Sequence, residues 1–212
     1  MCSQKNPPKT FCPMPGINAG MLSLEDLERI TDIVRRYDIP MVKVTGAQRL
    51  FFHGLEPEKI AHLKSELQLP DGQPHSRNRV HYAQACPGKN WCRYGLKETE
   101  KMSRAIMGLE LAGPLPYKVK VGISACRICC CESWVRDIGL VAEKAGWRLI
   151  FGGNAAGKPR IGDVVADGLN DDEVLQLIEK TLNYYLTTAK YKTRSALFME
   201  RTGIDELKRN VL

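Results

Sequence analysis

Two cysteine pairs constrain this chain more than any other feature. Cys86 and Cys92 lie in ACPGKNWC, and Cys126 and Cys130 lie in SACRICCC. The spacing is C-x5-C, a long gap, then C-x3-C, in turn-like stretches beside glycine or proline. Four thiolates drawn from two loops are the ligand set of a cubane [4Fe–4S] cluster. Whatever the fold, it must bring two distant loops to one place. Such a cluster also points to a redox reaction and an intracellular setting. Structural zinc is the alternative, although zinc sites favour tighter C-x2-C or C-x4-C knuckles. From spacing alone, Cys126 pairs equally well with Cys129.

The chain has eight cysteines, but a disulfide framework is a poor explanation. Cys129, Cys130 and Cys131 are consecutive, and neighbouring cysteines rarely have the geometry to bridge. No apolar stretch follows Lys5 and Lys9, so no secretory signal is expected. Without one, a cytoplasmic location with reduced or metallated thiols is expected. No run of eighteen apolar residues is present, which argues against a membrane helix. The net charge of +7 suits an anionic ligand or an acidic protein partner. Nucleic acid is not expected, because RNA-binding signatures are missing and aromatic content is low.

Residues 1–20 read as a Pro/Gly-punctuated tail. Ser23 and Asp26 form a capping box opening a helix in which Leu24, Leu27, Ile30, Ile33 and Val34 recur at helical spacing. MVKVTG and RLFFHG read as strands, and Pro57 opens a helix through about Gln68. LPDGQPHS, residues 69–76, is the linker candidate. RNRVHYAQ reads as a strand entering the first cysteine loop, and a helix of about fifteen residues is expected to start near Cys92. YKVKVGIS leads into the second cysteine loop. WVRDIGLVAE and GWRLIFGG read as two further strands, GGNAAGKPRIG as a loop, 171–190 as an amphipathic helix and 193–212 as shorter helices.

Period-two alternation puts Arg77, Arg79 and His81 on one face of their strand, and Lys118 and Lys120 on one face of theirs, with Val119 and Val121 left for the core. Both rows run into a cysteine pair, which suggests a common anion-facing cavity. GGNAAGKPRIG offers backbone N–H groups, with Lys158 and Arg160 adding charge. It is neither a Walker A nor a Rossmann motif.

At this point a family resemblance is carried by specific segments. ACPGKNWCRYG, then KVGISACRICC, then DIGLVAEKAGWRLIFGGNAAGKPR resemble the sirohaem- and [4Fe–4S]-containing sulfite and nitrite reductases, and VKVTGAQRLFFHG resembles their substrate-side lobe. In size the chain is similar to the low-molecular-mass assimilatory-type members. The resemblance implies an α+β fold: a ferredoxin-like N-terminal lobe over 21–75, a sirohaem and [4Fe–4S] binding lobe over 76–190, and a helical segment over 191–212. It implies Cys86, Cys92, Cys126 and Cys130 as cluster ligands, with Cys130 also bridging to the sirohaem. It places Arg77, Arg79, Gly153, Asn154, Lys158 and Arg160 around the carboxylates of sirohaem. Lys118 and Lys120 match its substrate-facing lysines, with His81 and Arg49 as further catalytic candidates.

The chain departs from that pattern at three places. His81 stands where the family has arginine, Ala47 where larger members have arginine, and Arg127, Ile128 and Cys129 separate the third and fourth ligands. The implied reaction is reduction of sulfite to sulfide, with nitrite as a second substrate, fed by an external donor such as ferredoxin. A non-catalytic electron-transfer protein is the other reading. With one copy of a unit that larger members carry twice, a two-fold homodimer is a further expectation.

Overall fold

The structure, a computed structural model, describes residues 11–69 and 78–212. Arg77, Cys2 and nearly all of the expected linker lie outside the described residues. The chain divides between Pro74 and His75 into two compact units.

In the first unit, β1 (Phe11–Pro13), β2 (Met41–Val44) and β3 (Leu50–His53) form an antiparallel sheet in the order β1-β3-β2. It carries helices α1 (Leu24–Tyr37) and α2 (Pro57–Glu66). Ser23 caps α1 as the sequence indicates: Asp26 N–H donates to its hydroxyl at 3.1 Å, and Asp26 accepts from Ser23 N–H at 2.9 Å. Asp38, in the left-handed region with φ 52°, ends the helix, and Ile39 N–H returns to Val34 O at 3.0 Å. The buried face of α1 is narrower than its apolar stripe. Ile30, Ile33 and Tyr37 are buried, whereas Leu24 is 73% exposed and Leu27 48%. β1 was not expected. Phe11–Pro13 adds to the sheet edge because Cys12 sits opposite Phe52, and both side chains are fully buried.

The second unit is built on a five-stranded sheet, β4 (Tyr82–Ala85), β5 (Lys120–Ser124), β6 (Ile138–Glu143), β7 (Gly146–Phe151) and β8 (Asp163–Leu169), in sequential order. The first three strands are parallel and the last two pairings antiparallel. Val121, Ile123, Ile138, Leu140, Leu149, Ile150 and Phe151 fill the core. Each fully buried aliphatic or aromatic side chain of this size contributes about 1.5–3 kcal/mol relative to exposure. Helix α3 (Thr99–Gly108) lies against β4 and β5, while α4 (Asp171–Thr188), α5 (Ser195–Thr202) and α6 (Ile204–Val211) complete the unit. Asn170 and Glu173 cap α4 reciprocally.

In the second unit five elements differ from the sequence reading. β4 starts at Tyr82, so Arg79 and His81 precede the strand. β5 starts at Lys120, leaving Lys118 in its lead-in. The helix expected from Cys92 starts only at Thr99, because the intervening residues bond elsewhere: Lys89 N–H to Lys97 O at 3.0 Å, and Leu96 N–H to Ala125 O at 2.8 Å. Residues 133–135 form a 3-10 turn rather than the beginning of β6. β8 has no counterpart in the sequence reading. Its Asp163, Asp167 and Gly168 are poor strand formers, and Val165 alone of its seven residues is fully buried.

Candidate metal centre and anion site

Two parallel neighbours that end together place their following loops together. Tyr82–Ala85 pairs in register with Lys120–Ile123, so Cys86 and the loop after Ser124 leave the same edge of the sheet. Cys86 N–H donates to Ile123 O at 3.1 Å, and Ala125 N–H donates to Cys86 Sγ at 3.1 Å. The first loop then turns: Cys92 N–H bonds Gly88 O at 2.9 Å and Gly95 N–H bonds Cys92 O at 2.9 Å. The second turns through Cys129 N–H to Cys126 O at 3.2 Å and Glu132 N–H to Cys129 O at 2.9 Å. Cys129 takes a left-handed conformation, φ 61°.

The electrostatics register the convergence. Burial and the charges of Cys86, Cys126 and Cys92 push the Cys130 thiol up. The Cys86 thiol falls to about 5, because Cys131 S–H and the main-chain N–H groups of Ala125 and Gly88 donate to its sulfur, against the cost of burial. Cys131 is raised by the same contact with Cys86 and by burial. Cys130 is exposed, and Cys86, Cys92 and Cys126 are half-buried. Among the described residues, no three His, Cys, Asp or Glu side chains close up tightly enough for one metal ion. A cubane, bound at four corners, takes a wider set. Four thiols at one edge, one of them already receiving N–H donors, fit such a cluster.

Residues that the sequence reading passed over hold the second loop in place. Arg136 reaches Cys131 O at 3.4 Å, Tyr82 Oη at 3.2 Å, Gln84 Oε1 at 3.0 Å and Glu132 Oε2 at 2.8 Å. Ser124 and Ser133 share a buried hydrogen bond of 2.9 Å, and Cys131 N–H donates to Ser124 Oγ at 3.2 Å. Gly122 leaves room for this loop, since a Cβ there would meet Cys131 O at 2.6 Å. Thr99 Oγ1 donates to Cys86 O and ties α3 to the first loop. The run of three cysteines marks this region in the sequence, but nothing there singles out Ser124 or Arg136.

The cations gather elsewhere on the sheet. Lys120 begins β5 and the cysteine loop follows Ser124, a separation of roughly 13 Å at about 3.3 Å per residue. Lys118 is exposed and Lys120 half-buried, while Val119 and Val121 are buried as expected. His81 N–H donates to Val119 O at 2.9 Å, so it lies across from a valine rather than from either lysine. Arg79 forms an ion pair with Glu110. The loop Gly152–Gly162 begins beside the start of β6, where Gly152 N–H bonds Asp137 O at 2.9 Å. Within it Asn154 is buried and bonds Lys158 O at 2.7 Å, Arg160 bonds Gly152 O at 2.9 Å and Asp163 at 2.5 Å, and Lys158 is exposed. A Cβ on Gly153 would meet Trp134 O at 2.6 Å. Arg49 belongs to the first unit, where its carbonyl accepts from Thr45 N–H at 2.8 Å.

Residues 76–212 match the nitrite and sulphite reductase 4Fe-4S domain, and residues 4–69 match the nitrite/sulfite reductase ferredoxin-like half domain. The chain belongs to the nitrite and sulfite reductase family. Its α+β fold is that of the family, and membership brings a [4Fe–4S] cluster and sirohaem as cofactors of an oxidoreductase. An assimilatory-type sulfite reductase of Nitratidesulfovibrio vulgaris is 40% identical over 203 residues, covering 96% of this chain and 93% of that one. A nitrite reductase of Bacillus subtilis that uses NAD(P)H is 32% identical over 93% of this chain, which spans only 24% of that protein. Among solved structures, dissimilatory sulfite reductase I superposes with TM-score 0.77 at 14% identity, covering 95% of this chain and 68% of the other. The Mycobacterium tuberculosis NirA protein gives 0.70 at 19%, covering 92% and 38%. At those identities the likeness is one of fold. Among the described residues of this family member, no helix is long and apolar enough to cross a membrane.

Proposed function

We propose that this protein is a cytoplasmic sulfite reductase that takes sulfite to sulfide and accepts nitrite as a second substrate. The observation that carries the reading is the convergence of Cys86, Cys92, Cys126 and Cys130 at one sheet edge. Cys130 is the most accessible of the four. It is the residue we assign as one that would hold the sirohaem as well as the cluster. When bound, the two cofactors would relay the six electrons that an external donor provides and would supply the iron at which the oxyanion is reduced. The chain's own part is positioning and charge. Lys118 and Lys120 neutralise the oxyanion and hand over protons as oxygen leaves as water, and His81 is a further donor. Lys158 and Arg160, with Arg77, Arg79 and the main chain at Gly153 and Asn154, hold the macrocycle's carboxylates. Each charge-assisted hydrogen bond there contributes about 1.5–3 kcal/mol.

The spacing along β5 bears on assembly. Within one chain the lysines start the strand and the cysteines follow its end, so we assign the lysines of each site to a second copy in a two-fold homodimer. The first unit matches a half domain, and its edge strand β2 is exposed along its length. An external one-electron donor of acidic character, such as a ferredoxin, meets Trp91 and Ile128, which are 73% and 62% exposed on the two cysteine loops.

Absorption spectroscopy of anaerobically purified protein, coupled to reductant-linked consumption of sulfite and nitrite, tests the reading. Sirohaem bands with sulfite turnover are expected. Cluster absorption without turnover of either anion would overturn it. Mixing a Lys120→Ala chain with a Cys86→Ser chain tests the dimer, because restored activity requires a site shared between copies.

A further inference from the structure

We infer that Asp137 is a positioning residue for the lysine pair, fixing the segment that carries Lys118 and Lys120; this rests on reading those lysines as the anion-facing groups. Asp137 is 2% exposed, at the turn into β6. Its Oδ2 accepts from Lys120 N–H at 3.0 Å. Ser195 Oγ donates to Oδ1, and Arg194 Nη2 lies 3.3 and 3.4 Å from the two oxygens. Its own carbonyl accepts from Gly152 N–H at 2.9 Å, the first residue of the glycine-rich loop. One buried residue thus joins the start of β5 to the start of α5 through its carboxylate, and both to the start of that loop through its carbonyl.

The lead-in to β5 is held at its other end by the same stretch of chain. Lys192 N–H donates to Pro116 O at 2.9 Å, and the Arg194 guanidinium stacks over the Tyr117 ring at 5.4 Å. Lys118 therefore sits between two clamps, one at Pro116–Tyr117 and one at Lys120. Burying a carboxylate costs several kcal/mol unless it is paired and hydrogen-bonded. Space-filling alone does not explain a charge there, and an apolar residue would fill the same volume without that cost. Fixing a short segment whose side chains must meet a small anion does explain it, because errors of about 1 Å in such contacts cost up to about a hundredfold in rate.

The test uses the loaded enzyme. Asp137→Asn keeps the shape but places an amide opposite Arg194. Ser195→Ala removes one hydrogen bond, keeps the carboxylate, and serves if the first variant does not fold. We expect iron and sirohaem content per chain to stay at the wild-type level and hydrogen exchange over residues 116–121 to accelerate selectively. The sulfite KM should rise about tenfold for Asp137→Asn, with a smaller fall in kcat and a smaller rise in KM for Ser195→Ala. Wild-type exchange over 116–121 with wild-type KM in a folded variant overturns the inference. So does exchange that rises uniformly across the sheet while KM is unmoved. Lys118→Ala and Lys120→Ala, run in parallel, separate the two failures: if neither raises the sulfite KM, the reading of the lysines is wrong, and the exchange data still decide whether Asp137 orders the segment.

Discussion

Replacing Gly122 with alanine probes the seat of the second cysteine loop. The added Cβ would sit 2.6 Å from Cys131 O, 2.8 Å from Arg136 Cγ and 3.3 Å from Ser133 Cα. The first of these lies several tenths of an ångström inside van der Waals contact, and its partner is main chain. Arg136 cannot swing away without releasing Tyr82, Gln84 and Glu132. The loop must therefore lift from the sheet, and Cys130 is the residue just before Cys131 in it. Overpacking of this kind costs about 1–3 kcal/mol. For a chain of this size that lowers Tm by roughly 2–12 °C. Because the strain falls on the ligand loop, iron content per chain should drop further than global stability does. Calorimetry and iron analysis of the purified protein read both quantities. Gly108→Ala is the control, since its Cβ meets nothing within 4 Å at the end of α3, and it should be neutral or slightly stabilising. Wild-type iron content and Tm in Gly122→Ala would refute the claim that the loop rests on this glycine.

Four further outcomes are expected. Serine at Cys86, Cys92, Cys126 or Cys130 should each lower iron content, whereas Cys129→Ser should retain it; iron loss in the latter would move a ligand to Cys129. Arg136→Met should destabilise the second unit by about 1–3 kcal/mol through its unpaired acceptors, measured by urea unfolding. In the first unit, Arg36 and the Tyr37 hydroxyl hold Glu66 down to about 2 from an ordinary 4.5. A depressed carboxylate contributes stability above about pH 4.5 that is lost as pH falls toward 2. Glu66→Gln should therefore lower stability near neutrality and flatten the acid limb of a stability–pH curve, so that variant and wild type converge as pH falls toward 2. Finally, Trp91→Ala should slow reduction by a protein donor and leave reduction by a small-molecule reductant unchanged, as stopped-flow absorbance would show.

Much of this was legible in the residues. Ser23 and Asp26 announced α1, Pro57 announced α2, and alternation placed Val119 and Val121 in the core, because each signal is local and the backbone has few ways to answer it. Exposed Leu24 and Leu27 escaped a periodicity argument, since apolar spacing does not say how wide the covering surface is. β1 and β8 escaped for a related reason. Pro13, Asp163 and Gly168 argue against strands locally, and pairing with β3 and β7 outweighs them.

The four cysteines and the excess of cations were set by the sequence alone, as was the chemistry they admit, because ligand type and charge belong to side chains. Where those groups stand was decided by tertiary structure. Basic rows that run directly into cysteine loops along the chain lie a strand's length from them in space, because β5 is extended between the two. Parallel pairing of β4 with β5 brings the cysteine loops to one edge. A buried Asp137, unremarkable in the sequence, becomes a junction because the starts of β5, α5 and the glycine-rich loop all meet it.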